Sequence, residues 1–381
     1  MEDTTFRIAI IDPVGSKAGM DHYNNMLATG IQNNGSEAVV FSNYATAAGL
    51  TVYPTFQNTG KNKYASLISS FAGMVRSIRF AKKWGANRIL LHVFRGGFID
   101  MLYFVMVRVA GLRIVAIVHD VESLETYSLP LFRRIVIGRL ADTRIVHNTF
   151  SKEQLLRILG NSHRFPVFTM PHVHFLDLFE NNKTNVPELT ILPIELDNDG
   201  ISGIVKLLFF GQIKRSKGLD LLLEAMHELP EHIHLVIAGK TRDTDEDSLL
   251  KFIQENGLTS RVKPILRHIS DPERDALFES CDILVLPYRR IYQSGVLLMA
   301  MSAGIPVVAS DLEPNRDAVI HKKTGLLFQR GNTTDLCNQI NLLSDDAAMR
   351  RNLSAAARDH IRVHYDPLKA GRDLIFALSK P

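Results

Sequence analysis

The sequence predicts an α/β protein built from two Rossmann-like, doubly wound parallel-sheet domains that face each other across a cleft. Short apolar runs alternate with longer amphipathic stretches along most of the 381 residues, which is typical of parallel strands joined by crossover helices. The alternation stops near residue 176 and resumes near residue 203, so the chain divides into two units of ordinary domain size. In such folds, ligands bind at the carboxyl ends of the strands.

The first domain is expected over residues 1–175. Apolar runs of four to eight residues fit buried strands, and longer periodic stretches fit helices. In chain order the strands are expected at RIAIID, EAVVFS, NRILLHVF, RIVAIVHD and TRIVHN, and the helices at YNNMLATGIQNN, LISSFAGMVRSIRFAKKWG, FIDMLYFVMVRVAG, PLFRRIVIGRLA and KEQLLRILG, and VFTMPH closes this half. The longest apolar stretch, from Phe98 to Asp120, is broken by charges and by Gly111, so it predicts a buried helix, a turn and a strand and not a membrane span.

The rest of the chain is expected to form a linker, a second domain and a final helix. Residues 176–202 are polar and rich in turn-forming residues, which predicts a linker or surface excursion. Residues 203–365 then predict the second domain, with strands at KLLFFG, HLVIAG, VKPIL, DILVLPY and PVVASD, followed by TGLLF and helices. Residues 366–381 predict a helix after Pro367 that packs back across the hinge onto the first domain.

Composition narrows the classes of protein. Cys281 and Cys337 are the only cysteines and have no metal-binding spacing, so a disulfide framework or a zinc site is not expected. No cofactor is expected either. The start MEDTTF lacks the order of charged and apolar segments that marks a signal peptide. A cytoplasmic location, at the inner face of a membrane, fits these features.

Charge is unevenly distributed between the two halves. Residues 1–175 contain 19 Lys and Arg against 11 Asp and Glu, whereas the remainder contains 25 against 29. A basic front half fits an anionic membrane surface or a phosphate-bearing acceptor, although chance and solvated faces explain the difference equally well. Nucleic acid is not expected as a partner, because the basic residues are scattered and not interleaved with aromatic ones.

The segment KLLFFGQIKRSKGLDLLLEAM carries the clearest signal for chemistry. A strand ends at Gly211, a basic loop with Lys214, Arg215 and Lys217 follows, and Gly218 opens a helix. Backbone N–H groups, the helix dipole and lysine side chains together favour phosphate. A solvent-exposed basic turn is the alternative interpretation of this segment.

A second loop of the same kind lies in DILVLPYRRIYQSGVLLMAMSAGIPVVASD. A strand ends at Pro287, a polar loop runs to Gln293, and Ser294, Gly295 and Val296 open a buried helix. A glycine at this point lets the backbone approach an anion closely. An ordinary connection between a strand and a helix is the alternative, but both loops are expected at the same edge of the second sheet.

The second half of the chain resembles the glycosyl transferases group 1 domain of the retaining glycosyltransferases with the GT-B fold (family 4-like). The matching stretches cover about residues 203–345, and the first half resembles the N-terminal domain of that family more weakly. These stretches are FFGQIKRSKGLDLLLEA, HLVIAGK, CDILVLPY, GVLLMAMSAGIPVVASD and TGLLF in the second half, and RIAIIDPVGSKAGMDHYNNMLA, VAIVHDVES and RIVHNTFSKEQL in the first.

This resemblance implies a diphosphate site. Gly19, with Gly15 nearby, matches the family's first glycine-rich loop, and Lys217 matches the lysine that clamps the donor diphosphate. The family's arginine is replaced by Gln212 here, so Lys214 is expected to supply the missing charge.

Four further residues match functional positions of the family. Ser294, Gly295 and Val296 match the loop whose backbone amides hold phosphate, and His119 matches the histidine that touches the donor sugar and is our candidate catalytic residue. From its position alone, at a strand end, His119 could equally be a core histidine.

One departure from the family concerns the contacts to the sugar and the ribose. Many relatives carry two glutamates separated by seven residues, and Ile291 and Met299 occupy those places here. Neither side chain can accept a hydrogen bond from a hydroxyl. Tyr292, Gln293 and the acidic Asp317 are therefore the candidates for these contacts, with an exposed turn as the alternative for Asp317.

The resemblance implies transfer of a sugar from UDP or GDP to an acceptor hydroxyl with retention, in bacterial-type polysaccharide or glycolipid synthesis. The acceptor is expected to be a carbohydrate or to be lipid-linked. No divalent ion is expected, because the acidic segment 243–247 fits a solvated turn. The alternatives are a catalytically impaired nucleotide-sugar-binding protein and a sugar-nucleotide epimerase of the same fold.

Overall fold

The chain forms two parallel β-sheets, one of seven strands and one of six, in a computed structural model that describes residues 5–16, 19–44, 49–57, 63–94, 96–122, 130–160, 166–180 and 203–380. Each sheet belongs to its own compact unit. The first unit comprises residues 1–173 together with 364–381, and the second comprises residues 174–363. The two sheets and their crossover helices give two Rossmann-like units, as the sequence predicts.

The first sheet has the strand order β3-β2-β1-β4-β5-β6-β7, all parallel. Its strands are β1 (Arg7–Ile11), β2 (Glu37–Ser42), β3 (Val52–Pro54), β4 (Arg88–Val93), β5 (Arg113–Val118), β6 (Thr143–Val146) and β7 (Val167–Thr169). Its helices up to this point are α1 (Met20–Asn33), α2 (Lys63–Trp84), α3 (Phe98–Val109), α4 (Pro130–Ile135), which continues into a π-helical turn over Val136–Leu140, and α5 (Thr149–Leu159).

All five strands predicted for this unit form, because the core strands are buried on both faces and are therefore apolar throughout, and the closing segment VFTMPH contains β7. In β1, residues 8–11 are fully buried. The short edge strand β3 was not predicted, because three residues ending in a proline give no recognisable pattern.

The second sheet has the strand order β10-β9-β8-β11-β12-β13, also parallel. Its strands are β8 (Val205–Phe210), β9 (Ile233–Ala238), β10 (Val262–Ile265), β11 (Ile283–Leu286), β12 (Val307–Ser310) and β13 (Leu326–Phe328). The helices of this unit are α6 (Leu176–Glu180), α7 (Leu219–Glu228), α8 (Glu246–Glu255), α9 (Asp271–Ser280), α10 (Gly295–Ala303), α11 (Glu313–Arg316), α12 (Thr333–Asp345) and α13 (Ala347–His364).

The segment predicted as a linker is helical at its start. Residues 176–180 form α6, which packs in the second unit, where Glu180 accepts hydrogen bonds from Arg358 and Arg362 of α13. The alternation of Leu176 and Phe179 with acidic residues was too short to show a helical period. The rest of the predicted linker, residues 181–202, lies outside the described residues.

The final helix, α14 (Pro367–Ser379), packs against α1 in the first unit. Two glycines allow this packing. A Cβ atom added at Gly371 would lie 2.2 Å from the carbonyl carbon of Gly30, and one added at Gly30 would lie 2.0 Å from the carbonyl oxygen of Pro367. The two helix backbones are therefore in direct contact, which only glycine permits at these positions.

Candidate functional site

Each sheet has one point at which the strand order reverses. In the second sheet the chain runs outward from β8 to β10, returns to β11 beside β8, and then continues in the other direction. Ligands of doubly wound folds bind outside the carboxyl ends of the strands at such a switch point. The corresponding switch point of the first sheet lies between β1 and β4.

The two predicted phosphate loops meet at the β8/β11 switch point. One loop leads from β8 through a 3₁₀ turn, Arg215–Lys217, into α7, and the other leads from β11 into α10. The Arg289 N–H donates to the carbonyl oxygen of Ser216 at 2.8 Å, which ties the loops together through their backbones. The sequence predicted that the loops share an edge, and the strand order puts them side by side.

Gly218 makes this close approach possible. It has the left-handed conformation, with φ at 66°, at the start of α7. A Cβ atom there would lie 1.9 Å from the carbonyl oxygen of Pro287 at the end of β11. Both the conformation and the available space therefore require glycine.

Lys217 and Ser294 are linked by a tyrosine that was not among the predicted site residues. The Lys217 ammonium lies 3.7 Å from the centre of the Tyr288 ring, and the Tyr288 hydroxyl lies 3.4 Å from Ser294 Oγ. Tyr288 is 1% exposed, so it is a fixed support for both residues. The motif DILVLPY places an aromatic residue directly after a strand, and that was the available signal.

The amino end of α10 has the features of an anion site. Ser294 caps the helix by accepting a hydrogen bond from Leu297 N at 3.2 Å. The first N–H groups of a helix have no acceptor within it, so those of Gly295 and Val296 are available to a ligand, where the helix dipole favours negative charge. The space beside the Cα atom of Gly295 is free, because a Cβ atom added there would have no neighbour closer than 3.9 Å.

The remaining predicted residues of this edge differ in their surroundings. Gln212 is exposed, Lys214 is half-buried just before the 3₁₀ turn, and Gln293 is half-buried beside Ser294. Tyr292 is buried and accepts a hydrogen bond from Arg290 at 2.8 Å. Asp317 is exposed and follows α11, at the carboxyl side of β12.

Ile291 and Met299 lie in the second loop and in α10, and both are buried, at 5% and 7% exposure. They are therefore packing residues of this unit. The acidic segment 243–247 is exposed, as predicted, and two of its carboxylates have structural roles, because Asp243 accepts from Arg215 N and Asp245 caps α8. Within the described residues, no group of three His, Cys, Asp or Glu side chains is placed to hold a metal ion.

The first sheet carries a histidine cluster along its carboxyl edge. Consecutive strands β4, β5, β6 and β7 each end in or near a histidine, and all four rings lie around Tyr23 of α1 at centroid distances of 4.7 to 5.6 Å. The four are His92, His119, His147 and His172. The predicted catalytic His119 is thus one member of a larger cluster. The recurrence of histidine after successive strands was visible in the sequence and was the signal that could have revealed it.

Burial keeps these imidazoles neutral. It lowers the pKa of His92 to about 3 and that of His147 to about 4, and it lowers the pKa of His119 and of His172 well below the usual value. A neutral histidine carries one N–H donor and one bare acceptor nitrogen. The cluster therefore offers neutral hydrogen-bonding groups to a ligand.

The loop after β1 connects this cluster to the predicted glycine-rich loop. Asp12 follows β1 and accepts hydrogen bonds from the N–H groups of Val14 and Gly15. Gly15 has φ at 69°, and a Cβ there would overlap the side chain of Asn43. Gly19 is left-handed, with φ at 73°, and starts α1, the helix that carries Tyr23.

The two Rossmann-like units define a GT-B fold. Residues 202–360 match the family model described as glycosyl transferases group 1. The second unit therefore contains a domain of the glycosyl transferases group 1 kind. In the described part of the chain, no helix is both long enough and apolar enough to cross a membrane.

Similar proteins agree with this assignment. D-inositol 3-phosphate glycosyltransferase of Pseudarthrobacter chlorophenolicus is 25% identical, over 90% of this chain and 86% of the relative. GDP-mannose:glycolipid 4-beta-D-mannosyltransferase of Xanthomonas campestris pv. campestris is 28% identical over 39% of this chain and 38% of its own length. The structure of Anabaena HepE in complex with UDP and glucose matches with a TM-score of 0.73 and 18% identity, over 98% of this chain and 99% of that one. The chain is a glycosyltransferase.

Proposed function

We propose that this glycosyltransferase moves a hexose from a UDP- or GDP-sugar to an acceptor hydroxyl, with retention at the anomeric carbon and without a divalent ion. The observation that carries the proposal is the meeting of two helix N-termini and Lys217 at the β8/β11 switch point. The similarity to HepE, which is bound to UDP and glucose, and to an enzyme named for GDP-mannose supports a nucleotide-sugar donor.

In this proposal the second unit stabilises the leaving group. Expelling a nucleoside diphosphate builds negative charge on the departing phosphate oxygen. Lys217 and Lys214 would supply positive charge, and the N–H groups of Gly295 and Val296 would donate hydrogen bonds from fixed positions. Donors that are already oriented stabilise a developing charge without reorganisation, which is a major source of rate acceleration in many enzymes. Gln212 would donate an uncharged hydrogen bond where the family has an arginine.

The contacts to the sugar would come from other residues. His119 is neutral and buried in the histidine cluster, so its role is hydrogen bonding to the donor sugar and not proton donation. Gln293 and Asp317 remain the candidates for hydroxyl contacts in the second unit, together with Tyr292, whose hydroxyl already bonds Arg290. Gly19 would bring the backbone of the first loop close to the ligand.

Donor binding is tested by thermal-shift screening of UDP-, GDP- and ADP-sugars. A lysine–phosphate contact contributes about 1.5–3 kcal/mol, so Lys217→Ala should weaken binding of the stabilising donor by about 10- to 100-fold. Lys251→Ala is the matched control, because Lys251 is exposed on α8, where it pairs with Glu255. Equal ligand shifts in the two variants would refute the phosphate site.

The first unit presents an apolar surface that fits a lipid-linked acceptor at the inner face of an anionic membrane. The first turns of α2, α3 and α4 expose apolar side chains, and these helices contact one another in sequence. The exposed side chains are Tyr64, Leu67, Ile68, Phe98, Ile99 and Leu131, which we call the α2–α4 apolar surface. Crossover helices start at the carboxyl edge of the sheet, so this surface flanks the edge that carries the histidine cluster. Groups of exposed apolar side chains mark interaction sites when they form a continuous surface.

Two basic residues lie close to the α2–α4 apolar surface, and three lie towards the other end of α2. Arg79, Lys82 and Lys83 are exposed further along α2, and Arg134 and Arg139 are exposed after Leu131. Apolar insertion and attraction to anionic headgroups act together in peripheral membrane binding. The relative named for a glycolipid acceptor supports the same class of acceptor.

Co-flotation with vesicles tests this surface. The protein should float with phosphatidylglycerol vesicles at low salt and not with phosphatidylcholine vesicles. The double substitution of Tyr64 and Ile68 by Ser should abolish flotation, whereas the same change at Leu250 and Leu342, which are exposed in the second unit, should not. Absence of flotation of the unmodified protein would exclude a membrane surface.

A second candidate function is nucleotide-sugar binding without transfer. It is favoured by one observation, the burial of Ile291 and Met299 where many relatives carry glutamates. A transferase releases free UDP or GDP only when an acceptor is present. An epimerase would instead convert the donor without acceptor, and a binding protein would shift in melting temperature with the donor but consume none.

A further inference from the structure

Asn24 of α1 lies between a carboxylate and an imidazole in the first unit. Its Nδ2 donates to Asp12 Oδ2 at 2.7 Å, and its Oδ1 lies 2.8 Å from His92 Nε2. His92 Nδ1 in turn lies 3.0 Å from His119 Nε2. Asp12, Asn24, His92 and His119 thus form one continuous chain of hydrogen bonds, which starts at the end of β1 and crosses the β1/β4 switch point.

Asp12 determines which atom donates and which accepts in each hydrogen bond of this chain. The Asp12 carboxylate already accepts the N–H groups of Val14, at 2.8 Å, and Gly15, at 3.2 Å, so it acts as an acceptor and fixes the amide of Asn24 with Nδ2 towards it. The carbonyl oxygen of Asn24 then faces His92 and can only accept, so His92 Nε2 carries the proton.

His92 in turn fixes the tautomer of His119. With its proton on Nε2, the neutral His92 presents a bare Nδ1, which accepts from His119 Nε2. The proton of the neutral His119 is thereby placed on Nε2, and Nδ1 is left as the bare nitrogen. In the part of the chain that the structure describes, no residue forms a hydrogen bond with His119 Nδ1.

A neighbouring histidine follows the same rule. His147 Nδ1 lies 3.1 Å from the carbonyl oxygen of Met170 and therefore donates its proton to the scaffold. Its bare Nε2 faces the hydroxyl of Tyr23 at 3.4 Å. A backbone carbonyl thus accepts the N–H of the His147 imidazole, and the lone pair on Nε2 points towards the centre of the cluster.

We infer that Asp12, Asn24 and His92 are positioning residues that hold His119 in the Nε2–H tautomer, so that its Nδ1 accepts a hydrogen bond from a hydroxyl of the ligand. A bare nitrogen repels phosphate oxygens, which are acceptors themselves, and binds groups that donate. His119 would therefore select for a hydroxylated part of the substrate and against its phosphates. The identity of that part as the donor sugar rests on the proposed function; the tautomer does not.

The tautomer is tested by long-range proton–nitrogen NMR correlations of the full-length protein with isotope-labelled histidine, in which the His119→Gln spectrum assigns the signals of His119. We expect one protonated nitrogen, Nε2, one unprotonated nitrogen, Nδ1, and Nε2–H protons of His119 and His92 that are protected from solvent exchange. A proton on Nδ1 of His119, or on both of its nitrogens at neutral pH, would overturn the inference without any variant.

Variants separate the positioning role from a purely structural one. Asn24→Leu should abolish the protected His92 proton and mix the tautomers of His119, whereas Asn25→Leu, one residue along α1, should leave both signals unchanged. His92→Leu should abolish the protected His119 proton, and His92→Asn should restore it, because the Oδ1 of that asparagine replaces the Nδ1 acceptor. Unaltered His119 signals in Asn24→Leu and His92→Leu would refute the chain.

The ligand half of the inference has its own measurement. UDP-glucose or GDP-mannose should shift the Nδ1 resonance of His119 in the direction of hydrogen-bond acceptance, and UDP or GDP alone should not. If a nucleotide sugar binds and Nδ1 does not move, His119 does not contact a sugar hydroxyl. If none of them binds, the proposed function fails. The tautomer of His119 is still tested independently, because it is measured in the free protein.

Discussion

The Lys217 ammonium lies over the face of the Tyr288 ring, 3.7 Å from its centre, so the loop after β8 is in contact with the loop after β11. A cation over an aromatic face is attracted by the negative potential of the ring. The Tyr288 hydroxyl, at 3.4 Å from Ser294 Oγ, extends this contact to the amino end of α10. Tyr288 therefore aligns the charged group and the helix end that together form the candidate phosphate site.

Tyr288→Leu should weaken binding of UDP or GDP by about 5- to 30-fold, because it removes about 1–2 kcal/mol of cation–π interaction that orients Lys217. Isothermal titration calorimetry measures this change. Tyr288→Phe is the control, since it keeps the ring and loses only the hydroxyl, and it should retain most of the affinity. A Leu variant that is folded and binds as tightly as the Phe variant would contradict the role of the ring.

Gly218→Ala should disturb the same loop through the backbone. Alanine at a left-handed position costs about 1–2 kcal/mol, and at Gly218 its Cβ would also overlap the carbonyl oxygen of Pro287. Gly257→Ala is a matched control, because Gly257 has φ at 67° against 66° for Gly218, and a Cβ atom added at Gly257 would have no neighbour within 4 Å.

Both glycine variants should lower the melting temperature, Gly218→Ala by more, and only Gly218→Ala should weaken binding of UDP or GDP. Differential scanning calorimetry and titration with the nucleotide separate the two effects. Equal losses of stability in the two variants, with nucleotide binding unaffected in both, would show that the contact with Pro287 has no functional consequence.

The sequence predicted those parts of this edge that depend on local order. A strand, a basic loop, a glycine and a helix follow one another between Val205 and Glu228, and this order alone predicts an anion site at the start of α7. The contact between Lys217 and Tyr288 could not be predicted in this way, because it joins two loops that become neighbours only through the strand order β8-β11.

In the histidine cluster, too, the sequence predicts the local features but not the contacts between elements. Each histidine follows its own strand and is visible in the sequence, but the distances that join His92 to His119 and to Asn24 depend on the register of β4 against β5 and on the rotation of α1. The sequence therefore identified His119 by its family match and missed the residues that position it. Similarly, the pattern predicted α14 but not the glycine pair on which its packing depends.

Gly371→Ala should destabilise the packing of α14 on α1. The added methyl group would overlap the backbone of Gly30, which cannot move aside as a side chain can, so the cost should reach or exceed the roughly 1–3 kcal/mol typical of overpacking. We expect a lower melting temperature and faster proteolysis after α13. A Gly371→Ala variant as stable as the unmodified protein would contradict the close packing.

The stability of the first unit should fall as the pH is lowered below about 6.5. Burial lowers the pKa of His92 to about 3 and of His147 to about 4, and lowers that of His119 and His172, so in this range the unfolded chain binds protons that the folded chain does not. Stability is therefore fully present above the unfolded pKa of about 6.5 and is lost as the pH falls towards the folded values. Each histidine contributes a slope of up to about 1.4 kcal/mol per pH unit.

The titration of Asp12 changes the stability of the first unit in the direction opposite to that of the histidines. Burial raises its pKa from the usual value of 3.8 to about 6. Between these two values the folded chain keeps a proton that the unfolded chain has lost. Lowering the pH through this range therefore stabilises the folded state. The four histidines outweigh this single carboxyl. As the pH is lowered, the melting temperature should accordingly fall less steeply in His147→Gln than in the unmodified protein. His268→Gln changes an exposed histidine and is the control, for which the same slope as in the unmodified protein is expected. Parallel curves for all three proteins would show that His147 does not remain neutral in the folded state.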